Sequence, residues 1–239
     1  MNIEKNKSAE LVGIGIYSSA EASRLTSIPA PKLVRWLSGY KRRGKDYPPL
    51  WNPEIAIEDE KIYLSFRDLM EVRVADAFVR FGMPPQHIRR AILLAREVLG
   101  KTHPLSTNRF RTDGRSILLF EIEKDENGEE KEKLLNLFSR QYEFREVIDP
   151  VLKTVDFGNE GDPIVWWPLG RRSRILIDPQ RAFGQPIDAA SGVPTTVLAN
   201  AVRQEGGIHQ AARVYDVSES AVREALEFEE KTPNARMAA

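Results

Sequence analysis

The sequence predicts a mainly α-helical protein with short β-hairpins, in which a helix-turn-helix unit precedes a smaller unit of strands and a second helix-turn-helix. Three observations predict this. Tyr17–Trp36 carries a capping serine, a small crossing residue, a turn residue and apolar sealing residues at the offsets two crossed helices need. Phe66, Met70, Val74, Ala77, Phe78 and Phe81 share one face of a later helical stretch. From Thr195 to Glu230 the apolar spacing is helical again, and Ile208–Leu226 repeats the first pattern.

In the first unit Ser18 can cap the opening helix, with Glu21 placed for a capping box. Ser23 is the small residue at the crossing, Ser27 occupies the turn, and Ile28, Leu33 and Trp36 seal the pair. Pro31 suits the first turn of the second helix, where its missing N–H costs nothing. That helix, Pro31–Gly39, is the expected recognition helix. With Leu33, Trp36 and Leu37 turned inward, Lys32, Arg35 and Ser38 face outward, within reach of base edges or phosphates. Lys41, Arg42, Arg43 and Lys45 follow the helix, and no acid interrupts Lys32–Lys45. With Ser19 at the start of the first helix, these residues form the candidate DNA-binding set. The whole chain is neutral, with 35 basic and 35 acidic residues, so only this local imbalance points to a polyanion. Glu121–Lys133 is its acidic counterpart.

Lys41–Pro53 reads as loop, basic and then proline-rich, and Ile55–Leu64 reads as a short hairpin. Ser65 and Asp68 form a second capping box at the start of the next helix. Gly82-Met83-Pro84-Pro85 ends that helix and opens another, which closes at Gly100. Arg109–Glu123 reads as a hairpin turning at Asp113-Gly114. Asp125–Glu132 reads as an acidic turn or linker, and Leu134–Phe144 as either short helix or strand. Strands are expected at Ile164–Trp167 and Arg174–Ile177, and an ordered loop over Asp178–Pro194. Met1–Gly15 and Lys231–Ala239 read as tails. The boundary falls near Glu160–Arg172, giving a first unit over 1–104, a β-rich connecting region over 105–172 and a last unit over 173–239.

In the second unit Ala212 sits at the crossing, Asp216 at the turn, and Val217, Val222 and Ala225 seal the pair, with Ser218 as N-cap. Arg213 and Arg223 face a surplus of acids, which repels phosphate and favours contact with protein over contact with DNA. Trp166 and Trp167 are adjacent on a strand and point to opposite faces. One can fill the core while the other, beside Arg171, Arg172 and Arg174, forms a protein contact; alternatively both are buried at a junction. Trp166, Trp167, Arg171, Arg172 and Arg223 are therefore the candidate protein-interaction residues.

Other classes are disfavoured. With no cysteine, disulfides and thiol chemistry are excluded. No window approaches the roughly 18 consecutive apolar residues of a membrane span, and Met1–Glu10 lacks a signal-peptide core, so a cytosolic protein is expected. His87, His103 and His209 are far apart, without metal-ligand spacing, and His87 and His209 are expected at surface or capping positions. Gly13-Ile14-Gly15 is too short for a dinucleotide fingerprint. Neither catalysis nor a cofactor is expected.

Tyr17, Leu25-Thr26-Ser27-Ile28, Arg35-Trp36 and Tyr63-Leu64-Ser65-Phe66-Arg67-Asp68-Leu69 resemble the winged helix-turn-helix of the MerR family over about Tyr17–Gly100. The loop between Gly39 and Ile55 is longer than is usual there, and no long coiled-coil helix follows. Arg174–Ile187 with Gly192-Val193-Pro194-Thr195 resembles the antitoxin-associated family called domain of unknown function 433, over about Arg174–Glu229. Ser191-Gly192-Val193-Pro194 stands where that family has a longer, arginine-bearing segment. A MerR-like N-terminus joined to such a domain resembles VapB-type antitoxins. The resemblance implies a homodimer that binds a PIN-like ribonuclease toxin and represses its own operon by binding double-stranded operator DNA. The alternatives are a stand-alone MerR-like transcriptional regulator and an adaptor whose two helix-turn-helix units both bind protein.

Overall fold

The structure is a computed structural model and describes residues 13–55, 61–123, 128–129, 131–132 and 141–232. Most of the expected N-terminal tail, the centre of the Ile55–Leu64 hairpin, half of the acidic Asp125–Glu132 stretch, most of Leu134–Phe144 and most of the C-terminal tail lie outside the described residues.

Strand β1 (Tyr17–Ser18) leads into α1 (Ser19–Thr26), and α2 (Ala30–Ser38) follows a three-residue turn. Ser18 and Glu21 form the expected reciprocal capping box. Ser27 closes α1 in the left-handed region, at φ 60°, and donates its N–H to Ser23 O at 2.8 Å. Leu33, Trp36 and Leu37 are buried as their spacing predicts. Helix α2 spans Ala30–Ser38, and Gly39 is its cap rather than its last residue.

The basic stretch after α2 is a hairpin and not a loop. Strands β2 (Tyr40–Arg42) and β3 (Lys45–Tyr47) pair antiparallel. Arg43 and Gly44 make the turn with φ of 51° and 75°, the two positive angles a type I′ turn requires. Gly39 makes the entry possible, because a Cβ there would lie 2.6 Å from Tyr47 O. Strand β4 (Tyr63–Leu64) pairs with β1, with Tyr17 opposite Leu64. The expected partner within Ile55–Leu64 is therefore replaced, for these two residues, by an N-terminal strand.

Helix α3 (Phe66–Arg80) is the central post, and α4 (Pro85–Leu99), α5 (Asn108–Glu123) and α6 (Gln141–Leu152) come after it along the chain. Phe78, Phe110 and Phe144 meet with ring centroids 6.1–6.2 Å apart, and all three are buried. Helix α5 overturns the hairpin expected at Asp113-Gly114. Its buried Phe110, Gly114, Ile117, Leu118, Glu121 and Ile122 follow helical spacing. Gly114 is there for packing, since a Cβ would come within 2.8 Å of the Phe110 ring. The region 105–172, expected to be β-rich, is thus mostly helical among its described residues.

An antiparallel sheet follows: β5 (Val155–Phe157), β6 (Pro163–Trp166), β7 (Ile175–Ile177) and β8 (Pro186–Asp188), in that order. It crosses the boundary expected near residue 172, and Ile175 and Ile177 join the main core. Strand β8 lies where only ordered loop was expected. Helices α7 (Thr195–Gln204), α8 (Ile208–Val214) and α9 (Glu219–Lys231) complete the chain's described part. They bury Leu198, Ala201, Ala211, Ala212, Val222 and Ala225 as a separate small cluster. Asp216 turns at φ 50°, and the Ser218 side chain accepts from Ala221 N–H, as expected.

The first strand and helix are tied to the later part of the chain. Tyr17 donates its buried hydroxyl to Gly184 O at 2.8 Å, and Arg24 meets Glu229 at 3.2 Å. Burial, with Glu21 and Asp178 nearby, holds the Tyr17 hydroxyl protonated well above its ordinary pKa.

Candidate nucleic-acid interface

The basic face is built by α2 and the β2–β3 hairpin. Arg35 is exposed on α2, and Lys41, Arg42, Arg43 and Lys45 are exposed on the hairpin. Lys41 faces Asp46 at 3.5 Å, but both side chains are open to water, so the pair neutralises little. Tyr40 and Tyr47 sit opposite each other and stack at 4.6 Å with ring planes 4° apart. That cross-strand pair stiffens the hairpin and fixes where its cations project. Sequence reasoning missed it; the signal was an aromatic at each end of the Tyr40–Tyr47 run.

Two expected members of the set are engaged internally. Lys32 is half-buried, donates to Asp76 Oδ1 at 2.7 Å, and lies 4.6 Å from the Trp36 ring centroid. Ser38 is exposed but donates from Oγ to Val34 O at 2.7 Å. Ser19 is half-buried at the first position of α1. The structure thus leaves Arg35 and the four hairpin cations exposed, with Arg42 and Lys45 on the hairpin face that carries Tyr40 and Tyr47 and Lys41 on the opposite face beside Asp46, and it pairs Lys32 with Asp76.

A network of hydrogen bonds holds the segment that leaves the hairpin after β3. Leu50 N–H donates to Trp36 O at 2.7 Å, and Arg89 Nε donates to Pro49 O at 3.0 Å. Trp51 Nε1 donates to Asp68 Oδ1 at 2.7 Å, and Asp68 also receives the Glu54 and Ser65 N–H groups. His103 Nε2 lies 2.8 Å from the same carboxylate. Burial pushes the Asp68 pKa up, but its bonds to His103, Trp51 and Ser65 outweigh this and bring it below the ordinary value. Asp68 is therefore more than the helix cap the sequence suggested.

The other two histidines differ from each other. His87 is fully buried, against the expectation of a surface or capping role, with Nδ1 3.1 Å from Glu121 Oε2. His209 is exposed and pairs with Glu219 at 2.9 Å. Among the described residues, no group of three or more His, Asp or Glu can hold a metal ion. Among them, no helix is long and apolar enough to cross a membrane.

The candidate protein-interaction residues do not form one exposed patch. Trp166 fills the core, 4% exposed, with the Arg73 guanidinium stacked 4.1 Å from its ring. Trp167 is half-buried and donates to Asp156 Oδ2 at 2.8 Å, and Arg171 pairs with the same carboxylate. Arg172 and Arg223 are exposed, the first in the β6–β7 connection and the second on α9. Several acids of α9 work internally: Glu224 accepts from Ser173 Oγ and Arg174 N–H, and Glu229 accepts from Thr195 and Arg24.

No family model matches the chain. It is 27% identical over 224 residues, 90% of this chain and 93% of the relative, to "Putative antitoxin VapB45" of Mycobacterium tuberculosis. A 35-residue segment, 15% of either chain, is 46% identical to "Uncharacterized protein Rv2308" of the same organism. The crystal structure of Rv2018 from Mycobacterium tuberculosis superposes with a TM-score of 0.66 at 23% identity, covering 90% of this chain and 98% of that one. At that identity the likeness shows a shared fold.

Proposed function

We propose that this chain is an antitoxin acting in the cytoplasm: it binds and neutralises a PIN-like ribonuclease toxin and represses the shared operon by binding double-stranded operator DNA. The antitoxin part rests on a likeness to a protein named "Putative antitoxin VapB45", running through 90% of the chain. The DNA part rests on the exposure of Arg35 on α2 and of Lys41, Arg42, Arg43 and Lys45 on the adjoining hairpin.

In this reading α1 and α2 are the MerR-like helix-turn-helix and the β2–β3 hairpin is its wing. Arg35 enters the major groove, and the hairpin cations contact phosphates beside it. The chain acts as a homodimer, because such units read two half-sites by symmetry. The C-terminal helices, tied to α1 through Arg24 and Glu229, belong to the toxin-binding half. The test is co-expression with the product of the adjacent gene. Co-purification of an acid-rich PIN-like nuclease whose activity this chain suppresses supports the proposal. A nuclease that neither binds nor loses activity rejects the antitoxin part, and leaves a stand-alone regulator if promoter DNA is still bound.

A further inference from the structure

Between α2, the hairpin and the start of α4 lies a groove of about 470 Å³. This is the size range of small-molecule sites. Its walls include Trp36, Tyr40 and Tyr47 together with Lys32, Arg35 and Arg89, and no acidic residue lines it. Lys32 is already paired with Asp76. Arg35 and Arg89 have no carboxylate partner among the described residues. Arg89 is half-buried and held by its Nε bond to Pro49 O, so its guanidinium is fixed while its terminal nitrogens face no acid. Tyr40 is 38% exposed, and its stacking on Tyr47 leaves one ring face uncovered by that partner.

We propose that this groove binds a nucleoside phosphate, with the phosphate held by Arg35 and Arg89 and the base stacked on the Tyr40–Tyr47 pair. Two guanidinium groups suit a phosphate because each can present parallel N–H donors to its oxygens. An aromatic face beside them suits a base, which stacks irrespective of sequence. A simple anion would use the cations and leave the aromatic wall idle; a neutral ring would do the reverse. Together they select a molecule that carries both. A free nucleotide and a nucleotide within a single strand both have this chemistry.

Isothermal titration of the full chain with 5′-AMP, adenosine, inorganic phosphate and a short oligothymidylate tests this. Saturable binding of 5′-AMP is expected, with adenosine and phosphate each weaker by about tenfold or more. Arg89→Gln and Tyr40→Ala each lower 5′-AMP affinity by about tenfold, with unchanged far-ultraviolet circular dichroism. Tyr40 lies on the exposed hairpin, so its variant remains informative if Arg89→Gln disturbs the Pro49 contact. Oligothymidylate that competes with 5′-AMP and binds more tightly identifies a strand as the source, and weaker binding identifies the free nucleotide. No saturable binding by either, or affinities unchanged in both variants, overturns the proposal.

Discussion

Lys32 donates from Nζ to Asp76 Oδ1 at 2.7 Å, joining α2 to α3 across 44 residues of sequence. Asp76 is 7% exposed at its side chain and also receives Arg80. A cation whose spacing places it on the outward side of the expected recognition helix is therefore a structural anchor. Lys32→Ala is expected to lower stability by about 1–2 kcal/mol, since Arg80 still serves Asp76. Urea denaturation measures this. The same variant should change the salt dependence of DNA binding much less than Arg35→Ala does.

The Glu71 carboxylate accepts from Leu105 N–H at 3.2 Å and Ser106 N–H at 2.9 Å and is fully buried. Burial outweighs those bonds and the nearby His103 and pushes its pKa up to about 7. For His103, burial acts downward, but the Asp68 bond and the Glu71 and Asp68 charges prevail and raise it. Both shifts have the same sign for linkage. Folded Glu71 keeps its proton longer than the unfolded chain as pH rises from the ordinary carboxylate range to about 7, so stability falls across that window. The His103 contribution is complete below its ordinary value and is lost as pH passes its raised one. Asp68 acts oppositely, and its contribution is lost only as pH falls through its lowered pKa. The free energy of unfolding is thus expected to be larger near about pH 5.5 than near about pH 8, by urea titration at each pH. Glu71→Gln should flatten the curve between the ordinary carboxylate range and neutrality, by at most about 3 kcal/mol.

Gly114 offers a test of the α5 assignment. An exposed helical glycine gains about 1 kcal/mol on becoming alanine. Here the new Cβ would sit 2.8 Å from the Phe110 ring, inside the Phe78–Phe110–Phe144 cluster. Gly114→Ala is expected to be destabilising by about 1–3 kcal/mol, and Phe110→Leu should relieve part of that in the double variant. Stabilisation by Gly114→Ala alone would contradict the packing.

What the sequence disclosed was mostly local. The two capping boxes, the Ser27 and Asp216 turns and the burial of Leu33, Trp36 and Leu37 each depend on residues a few positions apart. The errors come from longer range. Asp113-Gly114 has the chemistry of a hairpin turn, and only the Phe110 ring explains why the glycine is helical. The Lys41–Lys45 run shows no apolar alternation, because both faces of that hairpin are polar or aromatic and open to water. Asp76 and Lys32, or Arg89 and Pro49, meet only once α3 and α4 are packed against α2. The exposure of Arg35 and of the hairpin cations was legible; the tyrosine pair and the placement of Arg89 were not.

The salt dependence of binding to the chain's own promoter duplex tests most directly the proposal that α2 and the hairpin contact DNA. Wild type should lose affinity steeply as salt rises. A variant with Lys41, Arg42, Arg43 and Lys45 all changed to glutamine should bind more weakly, with a log–log slope shallower by about 2–4. Arg223→Gln, on α9, should leave the slope as in wild type. An unchanged slope and affinity in the hairpin variant, or loss of binding in Arg223→Gln instead, would contradict the assignment of the α2–hairpin face to DNA.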